Sequence, residues 1–166
     1  SSVSLTLDSF PPGEAIWGAM DNKKGADMEK ITQLTMPRPN EKQRMALLEK
    51  HRYVGYGGAR GGGKSWFVRW KAVLLCLNYP GIKILITRKT YRELLNNHIA
   101  PLLSLLAGVA KYNKSDKCFQ FPNGSTIWFG YCNNDSDLDQ YQGAEYDVIF
   151  FDEATQLQES WIKKIN

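Results

Sequence analysis

Residues Gly58-Ala59-Arg60-Gly61-Gly62-Gly63-Lys64-Ser65 fit the spacing G-x-x-x-x-G-K-[ST] in full. Glycines in such a loop let successive backbone N–H groups turn inward toward phosphate oxygens. A helix that begins near Lys64 adds the partial positive charge of its N-terminus. In that arrangement Lys64 reaches the β- and γ-phosphates of a nucleotide, and the Ser65 hydroxyl binds Mg²⁺. A second acidic element, Asp152-Glu153, follows the apolar run Val148-Ile149-Phe150-Phe151. Ligands of open α/β sheets bind at the carboxyl ends of buried strands. An Asp placed there suits a hydrated Mg²⁺, and an adjacent Glu can orient and polarise an attacking water. Side chains alternate between faces along a strand, so these two roles require the chain to turn as the strand ends. An isolated Asp-Glu pair more often marks a solvated strand end or a helix cap. The apolar run before it and the glycine loop upstream favour the nucleotide reading.

The elements that must position these groups follow from the patterning. Asn40 with Gln43 three residues later is a helix start of capping-box type, with Met45, Leu47 and Leu48 as its apolar face. Arg52–Gly57 reads as a strand that runs into the glycine loop. Ser65–Asn78 is apolar almost all round, as in a helix buried on several sides, and Pro80-Gly81 ends it. Ile82–Thr87 is a second strand. Leu95, Ile99, Leu102, Leu103 and Leu106 follow helical spacing, with a kink or restart at Pro101. Asn123-Gly124 predicts a two-residue hairpin loop that sets Phe121 opposite Thr126, Phe119 opposite Trp128 and Cys118 opposite Phe129. Cys132 then falls opposite Ser115, which argues against a Cys118–Cys132 bridge. Val148–Phe151 reads as a central strand covered on both faces. The alternation predicts an α/β fold, with a mostly parallel sheet, flanking helices and one antiparallel hairpin.

Residues 1–39 differ from the rest, carrying Pro11, Pro12, Gly13, Gly18, Gly25, Pro37 and Pro39 without a long periodic stretch. They read as an N-terminal extension or arm, with room for one short helix near Ala26–Leu34. A loosely docked leader and a partner-binding segment both fit that composition. The remaining residues, 40–166, form the nucleotide-binding domain.

With 166 residues, 43% hydrophobic and 23% charged, the chain can bury a sizeable core without disulfide or metal staples. Its net charge of +4 permits a nucleic-acid partner without demanding one. Cys76, Cys118 and Cys132 lack C-x-x-C spacing, and with His51 and His98 they make no zinc site, so reduced thiols are the simplest reading. No run of 18 apolar residues offers a membrane span. Ser1–Phe10 lacks the basic stretch and apolar core of a signal peptide.

Taken together, Asn40–Gln43, the glycine loop, "ITRKT" at Ile86–Thr90, "YQGAEYD" at Tyr141–Asp147 and "VIFFDEAT" at Val148–Thr155 resemble the large terminase subunit of tailed bacteriophages. The resemblance covers about residues 38 to 160 and implies a P-loop ATPase of ASCE type, in which the catalytic Glu follows the metal Asp. It further implies a motor that packages double-stranded DNA into a procapsid, working as a homo-oligomeric ring on the portal protein with a small terminase subunit. Such a motor acts in the host cell cytoplasm and transiently on the procapsid portal, away from any membrane. ATP and Mg²⁺ are the implied cofactors.

Position by position, the resemblance makes Gly58, Ala59, Arg60, Gly61, Gly62, Gly63, Lys64 and Ser65 the phosphate-binding loop. Ser65 and Asp152 become the metal residues and Glu153 the catalytic carboxylate. Gln43 matches a glutamine that reads the adenine edge, although it also fits the capping box. Arg60 matches an arginine that approaches the γ-phosphate, although an arginine in an exposed loop also fits simple solvation.

Two departures stand out. Gln142 occupies the place of a family arginine that precedes the glycine corresponding to Gly143, so Arg60, Arg88 or Arg92 would have to supply that charge. The sequence also stops 13 residues after Glu153, short of the coupling motif and last strands of the family's core, and shows no nuclease carboxylate cluster. That is the mark of a truncated core with a sheet edge to be covered. A superfamily-2-like helicase and a nucleotide-binding assembly module without turnover are the alternatives. Asp152–Thr155 lacks the fourth acidic or histidine residue usual in such helicases.

Overall fold

The computed structural model describes residues 2–5, 34–58, 61–131, 134, 137, 141, 144–160 and 162. Strand β1 (Ser2–Leu5) pairs antiparallel with β2 (Leu34–Pro37), Ser2 opposite Pro37 and Leu5 opposite Leu34. Leu34 and Met36 are buried in the main core, so the end of the arm is docked on the body. The short helix expected near Ala26–Leu34 lies outside the described residues except for Leu34, which belongs to β2.

Helix α1 (Glu41–Leu48) starts as expected. Asn40 Oδ1 accepts from the Gln43 backbone N–H at 2.9 Å, and Gln43 Oε1 accepts from the Asn40 N–H at 2.9 Å. Its expected apolar face is only partly right. Leu47 is buried beside Gln43, whereas Met45 is 64% and Leu48 43% exposed. The helix is short, and it meets the body along the Gln43–Leu47 stripe. Its C-terminal carbonyls are satisfied from outside, since Lys71 Nζ donates to the carbonyls of Leu47 and Glu49 at 2.5 and 2.9 Å.

Arg52–Gly57 forms no strand. A strand needs a neighbouring ladder, and this segment has none among the described residues. It runs over the surface with Tyr53 68% and Val54 47% exposed. Helix α2 (Lys64–Asn78) follows the glycine loop and buries Phe67, Val68, Trp70, Ala72, Val73, Leu74, Cys76 and Leu77, as its nearly continuous apolar surface requires.

Next come β3 (Lys83–Arg88), α3 (Tyr91–Leu94), a π-helical turn (Leu95–Ile99) and α4 (Ala100–Leu105). Pro101 explains the turn. It lacks the N–H that would bond the carbonyl of Asn97, and Arg69 Nη1 donates to that carbonyl instead. The wider turn leaves Leu95 and Leu103 on the surface, while His98, Ile99 and Leu102 point inward.

Strands β4 (Lys111–Asn113), β5 (Cys118–Gln120), β6 (Thr126–Tyr131) and β7 (Val148–Phe151) complete a sheet of order β4-β5-β6-β3-β7. β3 pairs in parallel with both β6 and β7, whereas β4-β5-β6 is an antiparallel meander. Among the described residues parallel and antiparallel pairings in this sheet are therefore equal in number, and the sheet is mixed where a mostly parallel one was expected.

The hairpin register is displaced by one residue, with Phe119 opposite Ile127 and Cys118 opposite Trp128. Phe121 N–H bonds the Ser125 carbonyl at 2.9 Å, and Gly124 N–H bonds the Phe121 carbonyl at 3.0 Å. The loop is thus Pro122-Asn123-Gly124, a turn with proline in its first central position followed by a left-handed glycine. Cys118 is a free, buried thiol, and Cys132 lies outside the described residues. β7 pairs with β3 on one side only among the described residues, and its four side chains are half-buried. It is an edge strand here, not a central strand covered on both faces. Among the described residues no helix is long and apolar enough to cross a membrane.

Candidate functional site

The parallel pairing of β3 with β7 sets Thr87 opposite Phe151. The next residues, Arg88 and Asp152, therefore emerge side by side at the carboxyl edge of the sheet. Asp152 N–H continues the ladder to the Thr87 carbonyl at 3.1 Å. Glu153 then adopts φ 58° and ψ 46°, which turns the chain sharply off the strand. This is the turn that two adjacent carboxylates with separate tasks require.

The N-terminus of α2 faces the same edge. Ser65 Oγ donates to Asp152 Oδ2 at 2.9 Å, joining residues 87 positions apart. Lys64 Nζ donates to the Gly58 carbonyl at 3.0 Å, across the mouth of the loop. The residue before the helix, Gly63, has φ 75° and offers no capping side chain, and the first turn holds no acidic residue. The leading N–H groups and dipole of a 15-residue helix are therefore presented to the loop with no acidic residue of the helix's own first turn and no capping side chain. Any side chain at Gly63 would be strained by its backbone and would also collide with Gln43 Nε2.

Of the residues singled out in sequence, Gly58, Gly61, Gly62, Gly63, Lys64, Ser65, Gln43, Asp152 and Glu153 are described. Ala59, Arg60, Gln142 and Gly143 lie outside the described residues. Gln43 is buried, and its carbonyl oxygen closes the capping box while its amide nitrogen abuts the loop at Gly63. Arg92 sits exposed on α3.

Two more residues join the site: His98, which no motif revealed, and Arg88, which the sequence offered within "ITRKT" as one of three candidate arginines. His98 Nε2 lies 2.8 Å from Asp152 Oδ2, with the ring fully buried. Arg88 Nε lies 3.1 Å from the same oxygen, and Arg88 Nη2 lies 3.6 Å from Glu153 Oε1. Burial pushes His98 below its usual pKa, against the pull of the Asp152 carboxylate, so the ring is neutral near pH 7. A neutral ring beside an ionised carboxylate must carry its proton on Nε2, leaving Nδ1 as a buried acceptor without a partner among the described residues. Burial on its own would push Asp152 up. The His98 contact, the Ser65 hydroxyl and the Arg88 charge outweigh it and hold the carboxyl below the ordinary range. Asp152 is thus a fixed, ionised, almost fully buried acceptor at the base of the loop.

A hydroxyl and a carboxylate oxygen meeting beside an uncapped helix N-terminus form a hard-oxygen donor set next to an anion-binding backbone. That pairing suits a magnesium ion and the phosphates it accompanies.

Comparison with known proteins accords with this arrangement. Residues 56–164 match the profile of the family described as terminase large subunit, T4likevirus-type, N-terminal. Among solved structures, the large terminase of a thermophilic bacteriophage matches with a TM-score of 0.62 at 21% identity. At that identity the likeness concerns the fold. It covers 77% of this chain and 36% of the other, so the chain spans about a third of that terminase. No curated protein sequence matches significantly. The family profile spans well over half of the sequence, from the segment before the glycine loop to beyond the acidic pair, and the chain accordingly belongs to the large-terminase family, in its N-terminal part.

Proposed function

We propose that the chain is the ATP-binding and hydrolysing domain, a P-loop ATPase of ASCE type, of a motor that moves double-stranded DNA into a procapsid. One observation carries the reading: the 2.9 Å bond between Ser65 and Asp152, which brings the glycine loop and the acidic strand end to a single point. In this reading Lys64 leaves the Gly58 carbonyl for the β- and γ-phosphates, and the α2 N-terminus receives the phosphate charge. Ser65 and Asp152 would hold Mg²⁺, which supplies charge neutralisation on those phosphates. Glu153, one residue beyond the metal carboxylate, positions a water and accepts its proton. Arg60 adds a guanidinium from within the loop, and Gln43 meets the adenine edge through its amide nitrogen. Full-length protein, portal, small subunit and ring assembly complete the motor.

The test is ATP hydrolysis by the full-length protein with and without duplex DNA, beside nucleotide binding. Hydrolysis that rises with DNA is expected. Lys64→Ala should abolish turnover and weaken binding markedly, whereas Glu153→Gln should bind Mg-ATP and turn over at least about 10²-fold more slowly. Nucleotide binding without any turnover would leave an assembly module instead, and near-normal turnover by Lys64→Ala would remove the site assignment.

A further inference from the structure

Arg88 is buried, yet its guanidinium is held mainly by charge. Among the described residues Nε makes no hydrogen bond, although it lies 3.1 Å from Asp152 Oδ2, and Nη2 stands 3.6 Å from Glu153 Oε1. The same Asp152 oxygen already accepts from Ser65 and lies against His98. Glu153 is different, because its side chain is 36% exposed and rises from a left-handed turn of the backbone. The Arg88 contact is its ion pair among the described residues. A guanidinium can span two carboxylates with its separate nitrogens, which a point ammonium cannot do.

We propose that Arg88 is a positioning residue with two linked effects. It orients the Glu153 carboxylate beside Asp152, and as a fixed cation it competes with the divalent ion for Asp152. The proposal rests on the reading of this edge as a Mg-nucleotide site. Removing the guanidinium should therefore loosen the base and, at the same time, ease the approach of a second cation, because like charges this close repel strongly in a partly buried site.

The experiment uses the full-length protein with Arg88→Gln and Arg88→Lys, reading kcat, KM and the affinity for a fluorescent ADP in Mg²⁺ and in EDTA. For Arg88→Gln, kcat should fall by about 10-fold or more while KM moves less than about threefold. Its ADP affinity in EDTA should stay within about twofold, and the gain from Mg²⁺ should grow by at least about threefold. Arg88→Lys keeps the charge but not the span, so its Mg²⁺ gain should match the parent while kcat still falls. A merely structural role would weaken ADP binding equally in Mg²⁺ and EDTA and lower the melting temperature in step, which would overturn the proposal. Should Arg88→Gln fail to fold, Arg88→Lys decides alone, since parental kcat in that variant would contradict the bridging role. The parent enzyme with Lys64→Ala runs alongside. Loss of the Lys64 effect indicts the site as a whole, whereas loss of the Arg88 effects alone indicts only this inference.

Discussion

Glu153 occupies left-handed backbone at φ 58°, a conformation that costs an ordinary side chain about 1–2 kcal/mol. Strain of this kind persists where the surroundings enforce it, here at the step from β7 into the 3₁₀ turn Ala154–Gln156. The stability of two carboxylate-free replacements should therefore be ordered against the usual preference. Glu153→Gly should be more stable to urea than Glu153→Ala by about 1 kcal/mol, because only alanine keeps the left-handed penalty. Alanine as the more stable variant would mean that the turn is not strained. At this scale the sequence was generous. The glycine loop and the Asp-Glu pair are each a short contiguous stretch, so the two segments that meet at Ser65 and Asp152 could be picked out from spacing alone. His98 could not be read in this way, and Arg88, although named among the candidate arginines, could not be placed against Asp152. Arg88 reaches Asp152 through the register of two parallel strands and His98 through a π-helical turn, and neither contact has a local signature in the sequence beyond Pro101.

Among the elements, the hairpin shows how a one-residue error arises. Asn123-Gly124 invites a two-residue loop, but Pro122 favours the first central position of a turn, and the loop takes three residues. The slip exchanges every cross-strand partner, although the hairpin itself and its place in the chain were legible. Arg52–Gly57 failed for another reason, since apolar content cannot make a strand where the described residues offer it no neighbouring edge. The end of β6 illustrates a constraint that no pattern announces. Tyr141 donates its hydroxyl to the Tyr131 carbonyl at 3.0 Å, and its ring lies directly over Gly130. Gly130→Ala should destabilise by about 1–3 kcal/mol, because the added methyl meets the ring. The cost should shrink in a Tyr141→Ala background, as a double-mutant cycle in urea would reveal. Equal costs in both backgrounds would separate the two residues.

For the molecule as a whole, α2 packed on the mixed sheet supplies most of the core. Cys76 lies fully buried at its centre, and burial pushes its thiol up to about 12. It should resist iodoacetamide at pH 8 in the native protein and react only as the protein unfolds, a difference that peptide mass spectrometry reads directly. Rapid native labelling would contradict this packing. The fold class was legible because apolar runs alternate with helical spacing, whereas the even division between parallel and antiparallel pairs was not, since β4 has only three residues and little pattern of its own. The fold matters to function through one junction, the edge where the α2 N-terminus, β3 and β7 converge. The measurement that tests this junction most directly is ATP affinity in Mg²⁺ and in EDTA for the parent protein and Asp152→Asn, with turnover recorded on the same samples. The parent should gain at least about tenfold in affinity from Mg²⁺, and Asp152→Asn should lose that gain together with hydrolysis while keeping its EDTA affinity. An unchanged Mg²⁺ gain with normal turnover in Asp152→Asn would contradict the account.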